Sequence, residues 1–385
     1  MATVHQANAA RSPKRRWLSY SLRALFVAVT LLCVVLAWLA VVAQRARRQQ
    51  RAVAKVQELR GYVQFDYGRD ADGKRIEGDA YYDADPVQEW VSAEKPWPPA
   101  WLRTLIGDEY FRSVKLVNIC RSSPTPDDLV FLADLPELSG LFLFKNPSVT
   151  DEGLRQVVDL KKLQDLDLSA TSVTDAGLAY VANLPKLQRL WLIETAITDA
   201  GIVHLRPLQS LVMLDLRLTK VTNAALADLS GLRSLQQLQI DRTAIDDDGL
   251  VHVADMTELR HLGLAETGVR GPGLRYVAKL WKLERLQLYH NPITDTDLAH
   301  LREMTSLTSL GLGRTKITDQ GLTHLEGLES LEYLSLDGDD ITDAGTEHLA
   351  KLSSLNELYL ANTKVTPAGV AALQKALPKC KIVTK

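Results

Sequence analysis

The sequence predicts an α/β solenoid. Short parallel strands line its concave face, short helices its convex face, and one apolar helix and a small cap precede it. Three observations carry this. A leucine-spaced pattern returns at Val114, Leu138, Leu163, Leu187, Leu211, Leu235, Leu259, Leu283, Leu307, Leu331 and Leu355, stepping by 24 residues except for 25 between Leu138 and Leu163. Inside each unit the apolar spacing changes from strand-like to helix-like. Ahead of the units, Ala24 to Gln44 is 21 residues without a charge. A fixed period of this length means stacked supersecondary units that bury a continuous core only as an array.

In chain order, residues 1–23 are a basic tail. Residues 24–44 match the roughly 20 apolar residues that cross a bilayer core, bounded by Arg23 and Arg45, with Trp17, Tyr20 and Trp38 suited to the interface. Val41-Val42-Ala43 offers a small-residue cleavage pattern. The run is nonetheless longer than a signal-peptide core, and a basic cluster follows it directly, so we read an uncleaved signal-anchor. An N-terminal signal-anchor most simply sends the downstream chain across, which puts the repeats outside the cytoplasm in a single-pass membrane protein.

Residues 45–113 read as a juxtamembrane helix followed by a cap. Val53, Val56 and Leu59 recur at helical spacing. Tyr62 to Tyr67 alternates as a strand, and Asp70-Ala71-Asp72-Gly73 is a turn. A calcium loop placing its turn glycine at Gly73 would begin at Gly68, which has no side-chain oxygen to give. Pro86, Pro96, Pro98, Pro99, Trp90, Trp97 and Trp101 follow, then a short helical stretch from Leu102 to Tyr110. Exposed ends of solenoids need such covering.

Residues 114–385 hold eleven units of the form L-x-x-L-x-L-x-x-T-x-[VI]-T-D-x-G-L-x-x-[LV]-x-x-L-x-x, the last cut short. In the unit starting at Leu163, the inward strand residues are Leu163, Leu166 and Leu168. Thr171 turns the chain. Thr174 and Asp175 stand where a helix needs an N-cap. Gly177 permits close packing, and Leu178, Val181 and Leu184 make the inner stripe of the helix. The recurrent aspartates (Asp151, Asp175, Asp199, Asp247, Asp295, Asp319, Asp343) are thereby capping groups rather than paired catalytic carboxylates. Asn223, Arg270-Gly271-Pro272 and Asp297 depart from the pattern and are expected to mark a local change of curvature. A histidine recurs at His204, His252, His300, His324 and His348. Because Tyr180 and Tyr276 fill the same slot, we read half-buried packing rather than a metal array.

L-x-x-L-x-L followed by a polar ladder residue resembles the leucine-rich repeat, and T-D-x-G-L resembles its cysteine-containing subtype with Thr in the ladder slot. The layout of basic tail, apolar span and T-D-x-G-L repeats is similar to bacterial membrane-anchored leucine-rich repeat proteins. The resemblance covers residues 114–385. It implies the horseshoe fold and a binding role, with ubiquitin-ligase adaptors, receptor-like subunits and sensors that relay through another protein among the alternatives. No F-box pattern precedes the repeats.

Composition narrows function further. The net charge of −2 divides into a basic end, with eleven Lys/Arg and one acid in residues 1–60, and an acidic remainder. That argues for a membrane surface at the N-terminus and against nucleic acid as partner. Cys33, Cys120 and Cys380 form no disulfide framework. No nucleophile elbow, zinc-protease helix or phosphate loop occurs, so neither catalysis, a metal, a cofactor nor a small-molecule substrate is expected. The expected partner is a protein, with bilayer lipid contacted through residues 24–44. Strand alternation places Phe142, Phe144, Trp191, Ile193 and Met213 on the concave face as an apolar patch. Tyr289, Tyr333 and Tyr359 form a second line there, with Gly311 and Gly313 expected to leave room between them.

Overall fold

The computed structural model of the chain describes residues 22–65, 106–107 and 110–385. The turn at Asp70–Gly73, the Pro/Trp-rich stretch and most of the 102–110 helix of the sequence reading lie outside these residues. The first element, α1, is one unbroken helix of 37 residues, Leu22–Glu58. The apolar span and the juxtamembrane segment are therefore a single rod. The composition changes at Arg45, but no Gly or Pro interrupts the run, and Ala, Leu, Arg and Gln all favour helix. The helix ends where Arg60 turns left-handed (φ 57°) and Gly61 N–H returns to Val56 O at 2.8 Å, a common C-terminal closure.

Strand β1 (Tyr62–Phe65) then pairs antiparallel with β2 (Val114–Asn118), Tyr62 opposite Asn118 and Val63 opposite Val117. From β2 the sheet grows in strict chain order and in parallel through three-residue strands, from β3 (Gly140–Phe142) to β13 (Lys381–Val383). Leu141, Leu166, Leu190, Leu214, Leu238, Leu262, Leu286, Leu310, Leu334 and Leu358 are successive register partners, each at most 1 % exposed. They form the spine of a core that runs the length of the array. The β13 strand is a rung beyond the eleven units of the sequence reading. Lys379 and Thr384 stand there in leucine slots, and only Ile382 keeps the pattern.

With 24 residues per unit, few remain for the convex side. Most of its helices are one or two turns, α-helical at Asp175–Val181 and 3-10 at Gly249–Asp255, and only the final one, Pro367–Ala376, reaches ten residues among the described repeats. Between strand and convex side, one slot is left-handed in successive units: Lys145, Ala170, Glu194, Leu218, Arg242, Glu266, His290 and Arg314 have φ between 52° and 59°. This conformation costs a non-glycine residue roughly 1–2 kcal/mol. Hydrogen bonding into the next unit offsets it, as where Lys145 N–H meets Ser169 O at 2.9 Å and Leu218 N–H meets Asp241 O at 3.1 Å.

The T-D-x-G-L segment works differently from the capping role its sequence suggests. Thr198, Thr222, Thr318 and Thr366 cap their own helices; Thr198 Oγ1, for example, accepts from Ala200 N–H at 3.3 Å, whereas Thr174 makes no such bond. Asp reaches into the following unit. Asp151 accepts from Thr174 N–H (2.8 Å) and Thr174 Oγ1–H (2.6 Å), and Asp175, Asp199, Asp295, Asp319 and Asp343 repeat this on Thr198, Thr222, Thr318, Thr342 and Thr366. The glycine follows from the same contact. A Cβ at Gly177, Gly201, Gly321, Gly345 or Gly369 would overlap the incoming carboxylate of the preceding unit.

The deviant units exchange partners across this joint, and strand register continues unbroken through them. Asn223 replaces Asp and Asp246 replaces the next Thr. Asn223 Nδ2 donates to Asp246 Oδ1 (2.6 Å) and Asn223 Oδ1 accepts from Asp246 N–H (3.0 Å). Further along, Gly271 fills an Asp slot and Asp297 the following Gly slot. The Asp297 carboxylate occupies the space over Gly271 and accepts from Thr294 N–H (2.9 Å) and Thr294 Oγ1–H (2.6 Å) within its own unit.

The N-terminal end of the core is closed by α1 itself. Ala46, Ala52 and Val56 of α1 and Val63 of β1 are buried against the first rung. Gln49, 7 % exposed, donates to Arg112 O (3.0 Å) and accepts from Val114 N–H (3.1 Å), satisfying backbone groups that enter the first parallel strand. Lys55 pairs with Asp128 at 2.8 Å. Covering of the first unit thus starts inside the helix rather than after it.

Candidate functional site

The concave face begins with aromatic residues on alternate rungs. β3 carries Phe142, β4 (Asp165–Asp167) carries Asp167, β5 (Arg189–Trp191) carries Trp191 and β6 (Met213–Asp215) carries Asp215, in register. The rings of Phe142 and Trp191 lie 6.1 Å apart on either side of the Asp167 rung. Trp191 is 7 % exposed and Asp167 1 %. Trp191 is therefore floor rather than protruding anchor. Phe142, Phe144, Ile193 and Met213 are half-buried around it. Phe144 lies beneath two cations, Arg121 at 5.9 Å and Lys145 at 5.2 Å from its ring centre, a favourable cation–π geometry.

Charge pairs run through this patch. Asp165, fully buried, is held by the Arg189 guanidinium at both oxygens, with Nη2–Oδ2 at 2.9 Å. Asp215, 1 % exposed, is held by Arg217 at 2.7–3.0 Å. Burial raises the pKa of both carboxyls, and the arginines oppose that rise. Burial likewise pushes the Cys120 thiol up to about 12, with Asp167 adding to the shift, so Cys120 is a poor nucleophile at neutral pH. The arrangement supplies aromatic area beside fixed guanidinium donors. It places no general base next to a nucleophile.

The second line is also assembled, in a different form from the one its sequence suggests. Tyr289 and Tyr333 share a hydrogen bond at 3.0 Å, the Tyr333 and Tyr359 rings stand 5.3 Å apart, and Tyr359 O–H donates to Glu357 at 2.9 Å. Gly311 and Gly313 leave no open room. The Tyr289 ring lies across them, and a Cβ at Gly311 would overlap it. The two lines are separate surfaces, with the rungs bearing Gln237, Gln239, His261 and Gly263 between them.

On the opposite side, His204, His252, His324 and His348 are half-buried and His300 is exposed. His348 Nδ1 meets Glu326 Oε1 at 2.6 Å. Thr294, Asp295, Thr296, Lys316, Gln320 and His324 line a shallow polar depression of about 270 Å³. Among the described residues no cluster of three metal-ligating side chains occurs. Trp281, 66 % exposed, escaped the sequence reading. Its slot in other units holds Pro185, Gln209, Thr305 or Ser353, so stacking the units by position would have singled it out. Lys282 Nζ lies 4.9 Å from its ring centre.

Helix α1 is long and apolar enough to cross a membrane, with a mean hydropathy of 3.0 over its most apolar stretch, none of which is buried. A leucine rich repeat family model matches residues 281–341. No curated protein matches the chain. Among solved structures, an internalin from Listeria monocytogenes is 25 % identical, with a TM-score of 0.56 over 70 % of this chain and 81 % of that one. A leucine-rich repeat protein of Leptospira interrogans is 23 % identical (TM-score 0.50), covering 66 % of this chain and 68 % of that one. The mouse RP105/MD-1 complex is 20 % identical (TM-score 0.50), covering 64 % of this chain and 43 % of that one. None of these matches is to a catalytic family. The leucine columns, the in-register parallel sheet and these likenesses agree: the chain folds as a leucine-rich repeat solenoid.

Proposed function

We propose that the chain is a membrane-anchored scaffold that binds a protein partner on the concave face of its repeats. The observation that carries this is the surface made by Phe142, Phe144, Ile193 and Met213 around the Trp191 floor, with Arg189 and Arg217 fixed beside it. Aromatic side chains and arginine dominate the energetics of protein interfaces, and a rigid floor limits the entropy lost on docking. The mouse RP105/MD-1 structure, of similar fold, is itself a complex. Anchoring through α1 rests on its length and apolarity.

The test is affinity capture from detergent extract, read beside thermal melting. Phe144→Ala with Met213→Ala is expected to weaken partner capture by about thirty-fold, the effect of losing roughly 2 kcal/mol of hot-spot contact, with little change in Tm. Trp191→Ala is expected to lower capture and stability together, by about 3 kcal/mol in folding, because its ring is buried. Unchanged capture by the double variant would move the binding site off this face.

A further inference from the structure

The rod-like α1 fixes where the array sits relative to lipid. We propose that Arg47, Arg48 and Arg51 form a binding face for the phosphates of anionic lipid headgroups and that the first rung of the array rests against the bilayer. The proposal builds on the reading of residues 24–44 as a membrane span.

The packing of α1 sets the geometry. Its contact with the rest of the chain starts within the apolar segment, where Leu39, Val42 and Ala43 are half-buried, and continues through Ala46, Gln49, Ala52 and Val56. Phe111, just before β2, reaches back to Trp38, their ring centres 6.4 Å apart. Part of the first unit therefore stands level with the end of the apolar run, and no stalk separates the two. The Gln49 clasp and the Lys55–Asp128 pair hold the helix to that unit. Arg45 donates to Ser113 Oγ at 2.9 Å and lies 3.9 Å from Glu137, so it belongs to the joint.

The next three arginines do not. At roughly 100° per residue, Arg47, Arg48 and Arg51 span about 100° of the helix, opposite Ala46, Gln49, Val53 and Val56. All three are exposed, and none is ion-paired among the described residues. With a rise of about 1.5 Å per residue, they stand roughly 4–10 Å beyond Gln44. The headgroup layer on each side of a bilayer is roughly 5–7 Å deep. Arg47 and Arg48 thus stand at phosphate height and Arg51 just beyond it, within reach of its long side chain, all directed away from the array on a helix that enters the same bilayer. Guanidinium groups bind phosphate oxygens in bidentate fashion, and each basic residue near an anionic surface strengthens the attraction about five-fold.

The full chain is reconstituted in nanodiscs of mixed phosphatidylcholine and phosphatidylglycerol, and the preference of its boundary for each spin-labelled lipid is measured. Wild type is expected to favour phosphatidylglycerol several-fold. Arg47→Gln/Arg48→Gln/Arg51→Gln should bring the preference close to one, whereas Arg47→Lys/Arg48→Lys/Arg51→Lys should keep most of it. An unchanged preference in the glutamine variant overturns the proposal. Loss of the preference in inorganic phosphate, but not in chloride of equal ionic strength, also overturns it and makes free phosphate the ligand. Failure of wild type and variants alike to enter the discs defeats the membrane reading itself, an outcome distinct from the other two.

Discussion

Gly271→Asp is expected to destabilise the array by at least about 3 kcal/mol, and adding Asp297→Gly to recover more than half of that loss. In the ordinary joint an aspartate crosses to the next unit and a glycine there makes room. At this joint the two residues have traded places. A Cβ at Gly271 would overlap the Asp297 carboxyl, and the backbone at Gly271 has φ 122°, a conformation that side-chain-bearing residues rarely adopt. The single variant thus combines steric overlap, backbone strain and two facing carboxylates, each of which is a recognised cause of large losses. Asp297→Gly alone strips the acceptor from Thr294 N–H and its hydroxyl, worth about 1–2 kcal/mol. Together the changes rebuild the arrangement found at Asp295 and Gly321. The check is a double-variant cycle by denaturant unfolding, with a coupling of about 2 kcal/mol or more expected between the sites. Strict additivity would mean that Gly271 and Asp297 do not form one joint.

Asp339→Asn is expected to stabilise the protein above neutral pH and to remove a pH dependence that wild type shows. Asp339 fills the ladder slot that holds asparagine at Asn146 and Asn291. Asn146 Nδ2 donates to Ile119 O (2.8 Å) and Leu143 O (2.9 Å), and Asn291 Nδ2 to Leu264 O (2.6 Å). Asp339 Oδ1 reproduces the acceptor half of this pattern, taking Thr315 N–H at 2.6 Å and Thr315 Oγ1–H at 3.0 Å. Its Oδ2 occupies the donor's place and is buried without a partner. Only a protonated carboxyl can act there as asparagine does. Burial, opposed by the Thr315 hydrogen bonds and reinforced by the Asp337 carboxylate, raises the Asp339 pKa to about 7. Because the folded value lies above the unfolded one near 3.8, the contribution is fully present below about pH 4 and is lost as pH rises through about 7. A difference of about three units corresponds to a few kcal/mol. Burial raises Asp165, Asp215 and Asp241 in the same sense, while Lys55 and Thr125 lower Asp128 to about 2. The quantity to measure is therefore the wild-type-minus-variant difference in unfolding free energy between pH 4 and pH 8. A difference that stays flat would show that Asp339 is ionised throughout.

The period made the rungs legible. Leu163, Leu166 and Leu168 announce an inward strand, and twenty-four residues later Leu187, Leu190 and Leu192 announce its neighbour, so register follows from arithmetic. Thr at the helix start is legible for the same local reason. The aspartate beside it is not, because its partners are Thr residues one unit onward and nothing within five residues distinguishes that bond from a cap. Whether a concave residue protrudes or lies flat depends on its flanking rungs. Trp191 sinks between Asp167 and Asp215, while Tyr289 covers the glycines that seemed to leave it space. The break in composition at Arg45 hid the continuity of α1, since charge pattern marks environment while the backbone follows helix propensity. The half-buried state of Phe142, Phe144, Ile193 and Met213 is geometry that alternation alone does not supply.

The exchanged joints carry a consequence for how such a molecule can change length. Where Asp meets Thr and Gly, one unit is interchangeable with another, and duplication or loss of a whole unit leaves every junction matched. The Asn223–Asp246 and Gly271–Asp297 junctions are keyed: each half fits only its own counterpart. Crossing over between ordinary units can extend or shorten the flanks, but a break between either keyed pair leaves mismatched ends. The middle of the chain is thereby locked in order, and its neighbours remain free to vary in number.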